Sequence, residues 1–98
     1  MILMITTEKG VSLKGVFQAS QLSKLENQMM DYIALSSEVF EVDLAQVTGG
    51  SSAFVALLLS CLRYAQIAGK TLLFTNPSAT LKGLVELSNL DDLIFKVS

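Results

Sequence analysis

Few groups in this 98-residue sequence can do chemistry, and most of them lie around one polar stretch, Thr48-Gly49-Gly50-Ser51-Ser52. A glycine-containing loop that opens a helix presents free backbone N–H groups and the positive end of the helix dipole. Such a loop can hold a phosphate or a carboxylate. It is not a Walker A loop, because the Gly-Lys-[Ser/Thr] ending and its phosphate-binding lysine are missing. The spacing favours a plainer role, a strand-to-helix turn capped by Ser51 or Ser52. Asp43 is expected at the end of a parallel strand, where α/β folds place functional side chains. Glu41 shares its strand face and Asp91-Asp92 is distant in sequence, so the expected role of Asp43 is hydrogen bonding to the N–H groups of the following turn. Cys61 falls in an apolar segment and reads as a buried, inert thiol, since reactive cysteines need electropositive, accessible surroundings. The adjacent Met29 and Met30 face different sides of a helix. A methionine patch can form an adaptable binding surface, but core filling is the expectation.

Composition removes whole classes of function. With no histidine, there is no Ser-His-Asp triad, no histidine base and no histidine metal ligand. The single cysteine can build neither an internal disulfide nor a multi-cysteine zinc site. Nine acidic and seven basic residues give a net charge of −2. The basic residues are scattered, with no two adjacent, so the clusters that bind a phosphate backbone are missing and nucleic acid is not an expected partner. No apolar run approaches the roughly 20 residues that span a bilayer. The opening Met1-to-Ile5 run lacks a basic n-region and soon meets Glu8 and Lys9, unlike a signal peptide. The expectation is a cytoplasmic, non-catalytic protein without cofactor or metal.

The elements that must position these groups follow from periodicity. Apolar residues make up 51% of the chain and charged residues 16%, a balance that folds, and the length suits one domain over residues 1–98. Strands are predicted near 2–5 and 11–17 as a hairpin, with Val11, Leu13 and Gly15 on one face. Leu22, Leu25, Met29, Tyr32 and Ile33 recur at helical spacing over 20–34, with Ser20 as N-cap or Ser23 to Glu26 as a capping box. Val39 to Leu44 is strand-like. The apolar run from Ala53 onward is too long for a strand and predicts a helix over 52–67, stopped by Gly69. A strand at 71–75, a helix at 78–88 and a final strand at 93–97 complete a ββαβαβαβ order. That order implies an α/β fold: a mixed, mostly parallel sheet of about five strands with an N-terminal β-hairpin and three main helices. Phe54, Val55, Leu57, Leu58 and Leu59 point nearly all round their helix. Either the domain covers both sides, or one side meets another protein.

The ordered set Val42-Asp43-Leu44-Ala45-Gln46-Val47-Thr48, a serine-bearing turn, a leucine-rich helix and Gly69-Lys70 resembles the STAS domain. This family is shared by anti-sigma factor antagonists and the MlaB subunit of bacterial lipid transporters. Leu72-Leu73-Phe74-Thr75-Asn76-Pro77-Ser78, leading into the stretch from Leu81 to Leu90, is similar to the family's later strand, turn, amphipathic helix and terminal stop. The resemblance spans essentially the whole chain. It lays the family motif of Asp, two Ser or Thr, then Gly on Ser51, Ser52, Ala53 and Phe54. In the antagonist branch the second hydroxyl is the one a kinase phosphorylates, and Ala53 cannot take phosphate. MlaB-like members, with one hydroxyl followed by a small residue, resemble this chain better there.

The resemblance implies a protein-binding module acting through Gly49, Gly50, Ser51, Ser52, Ala53 and Phe54. Its implied partner is the ATPase subunit of an inner-membrane phospholipid ABC transporter, through which alone it would meet the membrane. A homodimer is a further assembly open to it. Phe54 stands where the family usually has glycine, and it either fills a gap in the domain or projects toward the partner. The alternatives are an anti-sigma factor antagonist-like regulator of a kinase or anti-sigma factor, and a nucleotide- or small-anion-sensing domain.

Overall fold

A computed structural model describes residues 1–36, 38–49 and 51–87. Strand β1 (Ile2–Thr6) turns back into β2 (Gly10–Val16), and a 3₁₀ turn at Ala19–Gln21 leads into α1 (Leu22–Leu35). Then come β3 (Val39–Thr48), α2 (Ser52–Ile67), β4 (Thr71–Thr75) and α3 (Ala79–Leu87). The sheet order is β1-β2-β3-β4, antiparallel between β1 and β2 and parallel between the other neighbours. The expected α/β class, the hairpin, the three helices and the mostly parallel sheet all stand. The strand expected at 93–97 lies outside the described residues, among which the sheet has four strands.

Each strand steps one place across the sheet, so right-handed crossovers put α1 and α2 on the same face. That face is the core. Val11, Val42 and Phe74 are neighbours across three strands, and Met4 lies opposite Leu13. Leu25, Met29 and Ile33 of α1 pack over this face, with Phe54, Leu57, Leu58 and Cys61 of α2 and Leu81 and Val85 of α3. Helix α2 sits between α1 and α3, which accounts for its broad apolar surface. The domain itself covers Phe54, Val55, Leu57 and Leu58, and Leu59 is half-buried. Met29 is core and Met30 half-buried, as core filling requires.

Gly10 sets the spacing of β2 and β3, because a Cβ there would overlap the backbone carbonyl of Glu41. Two local expectations need correction. Strand β3 does not stop at Leu44; it continues to Thr48 through an irregularity where the register with β2 shifts between Ser12 and Lys14. The shift keeps Val47 buried after the exposed Ala45 and Gln46. It restores the apolar side to the core after one extra residue, as a bulge does. Nor does Ser20 or Ser23 cap α1. The 3₁₀ turn occupies that place, and the N-cap residue Gln21 makes no side-chain cap bond. Its side chain instead reaches Ile2, where Oε1 accepts from the N–H at 2.8 Å and Nε2 donates to the carbonyl at 3.3 Å.

Candidate functional site

The turn between β3 and α2 forms where the bulged end of β3 meets a strong helix start. Gly49 takes φ +70°, a left-handed conformation that glycine adopts at no steric cost. Ser51 is extended at φ −148° and is the N-cap. Its Oγ accepts from the Phe54 N–H at 3.3 Å, and its carbonyl accepts from the Val55 N–H at 3.1 Å. The capping expectation therefore falls on Ser51. Ser52 is exposed and Ala53 half-buried. Gly50 lies outside the described residues.

Of the two roles open to Phe54, the structure shows the gap-filling one. It is fully buried, at 0% exposure, and its ring lies 5.2 Å from that of Phe17 at an interplanar angle of 48°. The tilted geometry is the favoured one for an aromatic pair. The first turn of α2 points Phe54 toward the sheet, where withdrawing a ring from water outweighs any gain from displaying it. Of the residues assigned to the turn, Gly49, Ser51, Ser52 and Ala53 thus retain some surface, while Phe54 supports them from beneath.

The neighbouring corner holds the turn. Val16 pairs with Thr48, Gly15 with Val47, and Thr48 Oγ1 donates to the Gly15 carbonyl at 3.4 Å. Gly15 has φ +115°, and a Cβ there would overlap the Met1 carbonyl, so this kink admits only glycine without strain. Phe17 follows two residues after the kink. Its role was not legible in the sequence, where it appeared only as the last apolar residue of an alternating strand.

The remaining candidates settle into structural roles. Asp43 lies within β3 rather than at its end, because the bulge prolongs the strand. Its Oδ1 accepts from the Ala45 N–H at 2.9 Å and from Asn76 Nδ2 at 3.3 Å, so its backbone-bonding expectation holds at the bulge. Glu41 shares its face, and the two line an open groove of about 560 Å³ with Thr7, Lys9, Thr75 and Asn76. Lys9 Nζ lies 3.9 Å from Glu41 Oε2, with the lysine exposed and the glutamate half-buried, a long, solvated contact of the kind worth little. A second groove, of about 280 Å³, runs beside Thr6, Tyr32, Leu35 and Val39. Neither of these two grooves includes the Ser51 turn. Cys61 is buried, and burial pushes its thiol from 9.0 up to about 12, with Glu26 adding to the rise. Among the described residues, no cluster of three or more cysteine and carboxylate side chains could hold a metal. Among them also, no helix is long and apolar enough to cross a membrane.

Comparison with known proteins places this geometry. The family profile for the MlaB STAS domain matches residues 6–95, and the chain belongs to that family. Among solved structures, the unphosphorylated anti-sigma factor antagonist SpoIIAA superposes with a TM-score of 0.76 at 14% identity, covering 100% of this chain and 89% of that one. An anti-sigma factor antagonist from Mycobacterium paratuberculosis gives 0.74 at 16% identity, covering 99% and 86%. A putative antagonist from Thermotoga maritima gives 0.74 at 13%, covering 96% and 83%. At such identities these likenesses speak to the fold alone. Among curated proteins, none matches the sequence.

Proposed function

We propose that this chain is a non-catalytic docking subunit, binding the ATPase of an inner-membrane phospholipid ABC transporter through the turn that opens α2. The observation that carries the reading is the make-up of that turn. Ser51 is consumed as the cap, Ser52 is the exposed hydroxyl, and Ala53 stands where a switch protein would offer its phosphate acceptor. A turn with one free hydroxyl and an alanine suits constitutive docking better than phosphate-controlled release. The membership of the MlaB STAS family supports the same partner class. Docking would hold the ATPase in one conformation, with no bond made or broken on this chain. It would bring the protein to the membrane only through that partner.

The test is co-expression with the phospholipid-transporter ATPase of the same genome, comparing the natural chain with Ser52→Asp. An acidic residue in the first helical turn is favoured by the dipole, so the variant keeps its thermal midpoint. The expected result is at least tenfold weaker association, measured by titration of the purified proteins. Unchanged association would overturn the assigned surface. Stoichiometric phosphate on Ser52 in cellular protein would favour the anti-sigma factor antagonist-like reading instead.

A further inference from the structure

We propose that Phe17, outside the turn, is the positioning residue that sets the first turn of α2 for docking; this rests on the reading that the turn is the docking surface. The first N–H groups of any helix lack intrahelical partners, so backbone bonding alone leaves its opening turn loosely registered. Here the turn is tied at Phe54, whose amide closes the Ser51 cap and whose ring meets Phe17. Phe17 is fixed in turn from its own side. The glycine-only kink at Gly15 directs the chain out of β2, and the Thr48 hydroxyl bonds the Gly15 carbonyl. Thr48 ends β3 and leads into the same turn.

The three links close a circuit from Gly15 to Thr48, through Ser51 to Phe54, and back through Phe17 to Gly15. Two of its sides are a capped turn and a strand corner, each held by its own hydrogen bond. The ring contact is the side that fixes how one sits against the other, and so where Ser52 stands above the sheet. Phe17 is half-buried while Phe54 is sealed, which makes Phe17 the member of the pair that can be changed without opening the core.

Phe17→Leu removes the ring but keeps an apolar side chain, and Phe17→Tyr restores the ring. Amide hydrogen exchange at Phe54 and Val55 is compared with exchange at Leu58 and Leu62 in the full chain, and affinity for the purified transporter ATPase is measured beside it. In Phe17→Leu, exchange at Phe54 and Val55 is expected to quicken about tenfold with the later amides unchanged. Binding should weaken about fivefold, and Phe17→Tyr should return both within twofold of the natural chain. Unchanged exchange at Phe54 and Val55, or equal acceleration all along α2, would overturn the positioning role. Loss of binding in Ser52→Asp with full binding in Phe17→Leu would overturn it too. If Ser52→Asp binds normally, the docking reading fails, and the exchange comparison still decides whether Phe17 sets the turn.

Discussion

At the residue scale, Phe54 opens α2 but presents no surface to solvent. The ring instead occupies the core beside Phe17, so truncating it creates a cavity rather than an empty binding pocket. Phe54→Ala is expected to cost about 3–5 kcal/mol of stability, within the range for phenylalanine truncations in cores. That is a large share of the 5–15 kcal/mol typical of a domain, and urea denaturation measures it. A loss below about 1 kcal/mol would contradict the burial. Cys61 carries a second prediction. With its pKa pushed up to about 12 by burial, the thiol should resist alkylation in the folded protein near pH 8 and react only on unfolding. Between the free thiol's value of 9.0 and about 12, the unfolded chain has released this proton while the native chain retains it. Stability therefore falls as pH rises through that window, by up to about 1.4 kcal/mol per unit from this group. Cys61→Ala should flatten that part of the profile in denaturation at graded pH.

At the element scale, the end of α1 depends on a residue from another loop. Lys70, just past the Gly69 stop of α2, donates from Nζ to the carbonyls of Ile33, Ala34 and Ser36 at 2.6, 2.8 and 2.8 Å. A helix C-terminus presents unpaired carbonyls and a partial negative charge, so an ammonium there satisfies the acceptors and opposes the dipole together. Lys70→Met keeps the stem and removes the charge. It is expected to lose about 1.5–3 kcal/mol, the scale of hydrogen bonds to charged groups, and to speed exchange in the last turn of α1. No change in either would show the ammonium to be dispensable. Gly69 was legible as a helix stop, but the reach of Lys70 to α1 was not. The acceptors lie 34 to 37 residues away in sequence, and local spacing carries no sign of them.

At the scale of the whole molecule, helices cover one sheet face and, among the described residues, the hairpin leaves β1 at an edge. Ile2–Thr6 has no charged residue, the pattern that invites strand pairing with another chain. Gln21 closes part of this edge by bonding both backbone groups of Ile2, while Leu3 and Ile5 remain exposed on the opposite face. Gln21→Leu frees those groups and is expected to raise concentration-dependent self-association, read by sedimentation velocity over a range of concentrations. A variant that stays as monodisperse as the natural chain would show that the edge is protected by other means.

The sequence alone determined the main strands and helices from β1 to α3 and their order. Helical spacing at Leu22, Leu25, Met29 and Ile33, alternation at Val11 and Leu13, and the length of the Ala53 run are local signals that a chain carries wherever it folds. They also placed the serine-capped turn, since an N-cap is chosen by residues within one turn of each other. Tertiary structure decided what those signals leave open. The bulge that prolongs β3 to Thr48 and moves Asp43 inside the strand depends on register against β2, a relation between distant segments. The 3₁₀ turn displaced the expected serine caps of α1, and Gln21 there bonds Ile2. The side chain of Phe54 was decided last and by the same physics. A ring in the first turn of a helix can face water or the sheet, and the core that receives it, Phe17 included, is assembled from segments distant in sequence.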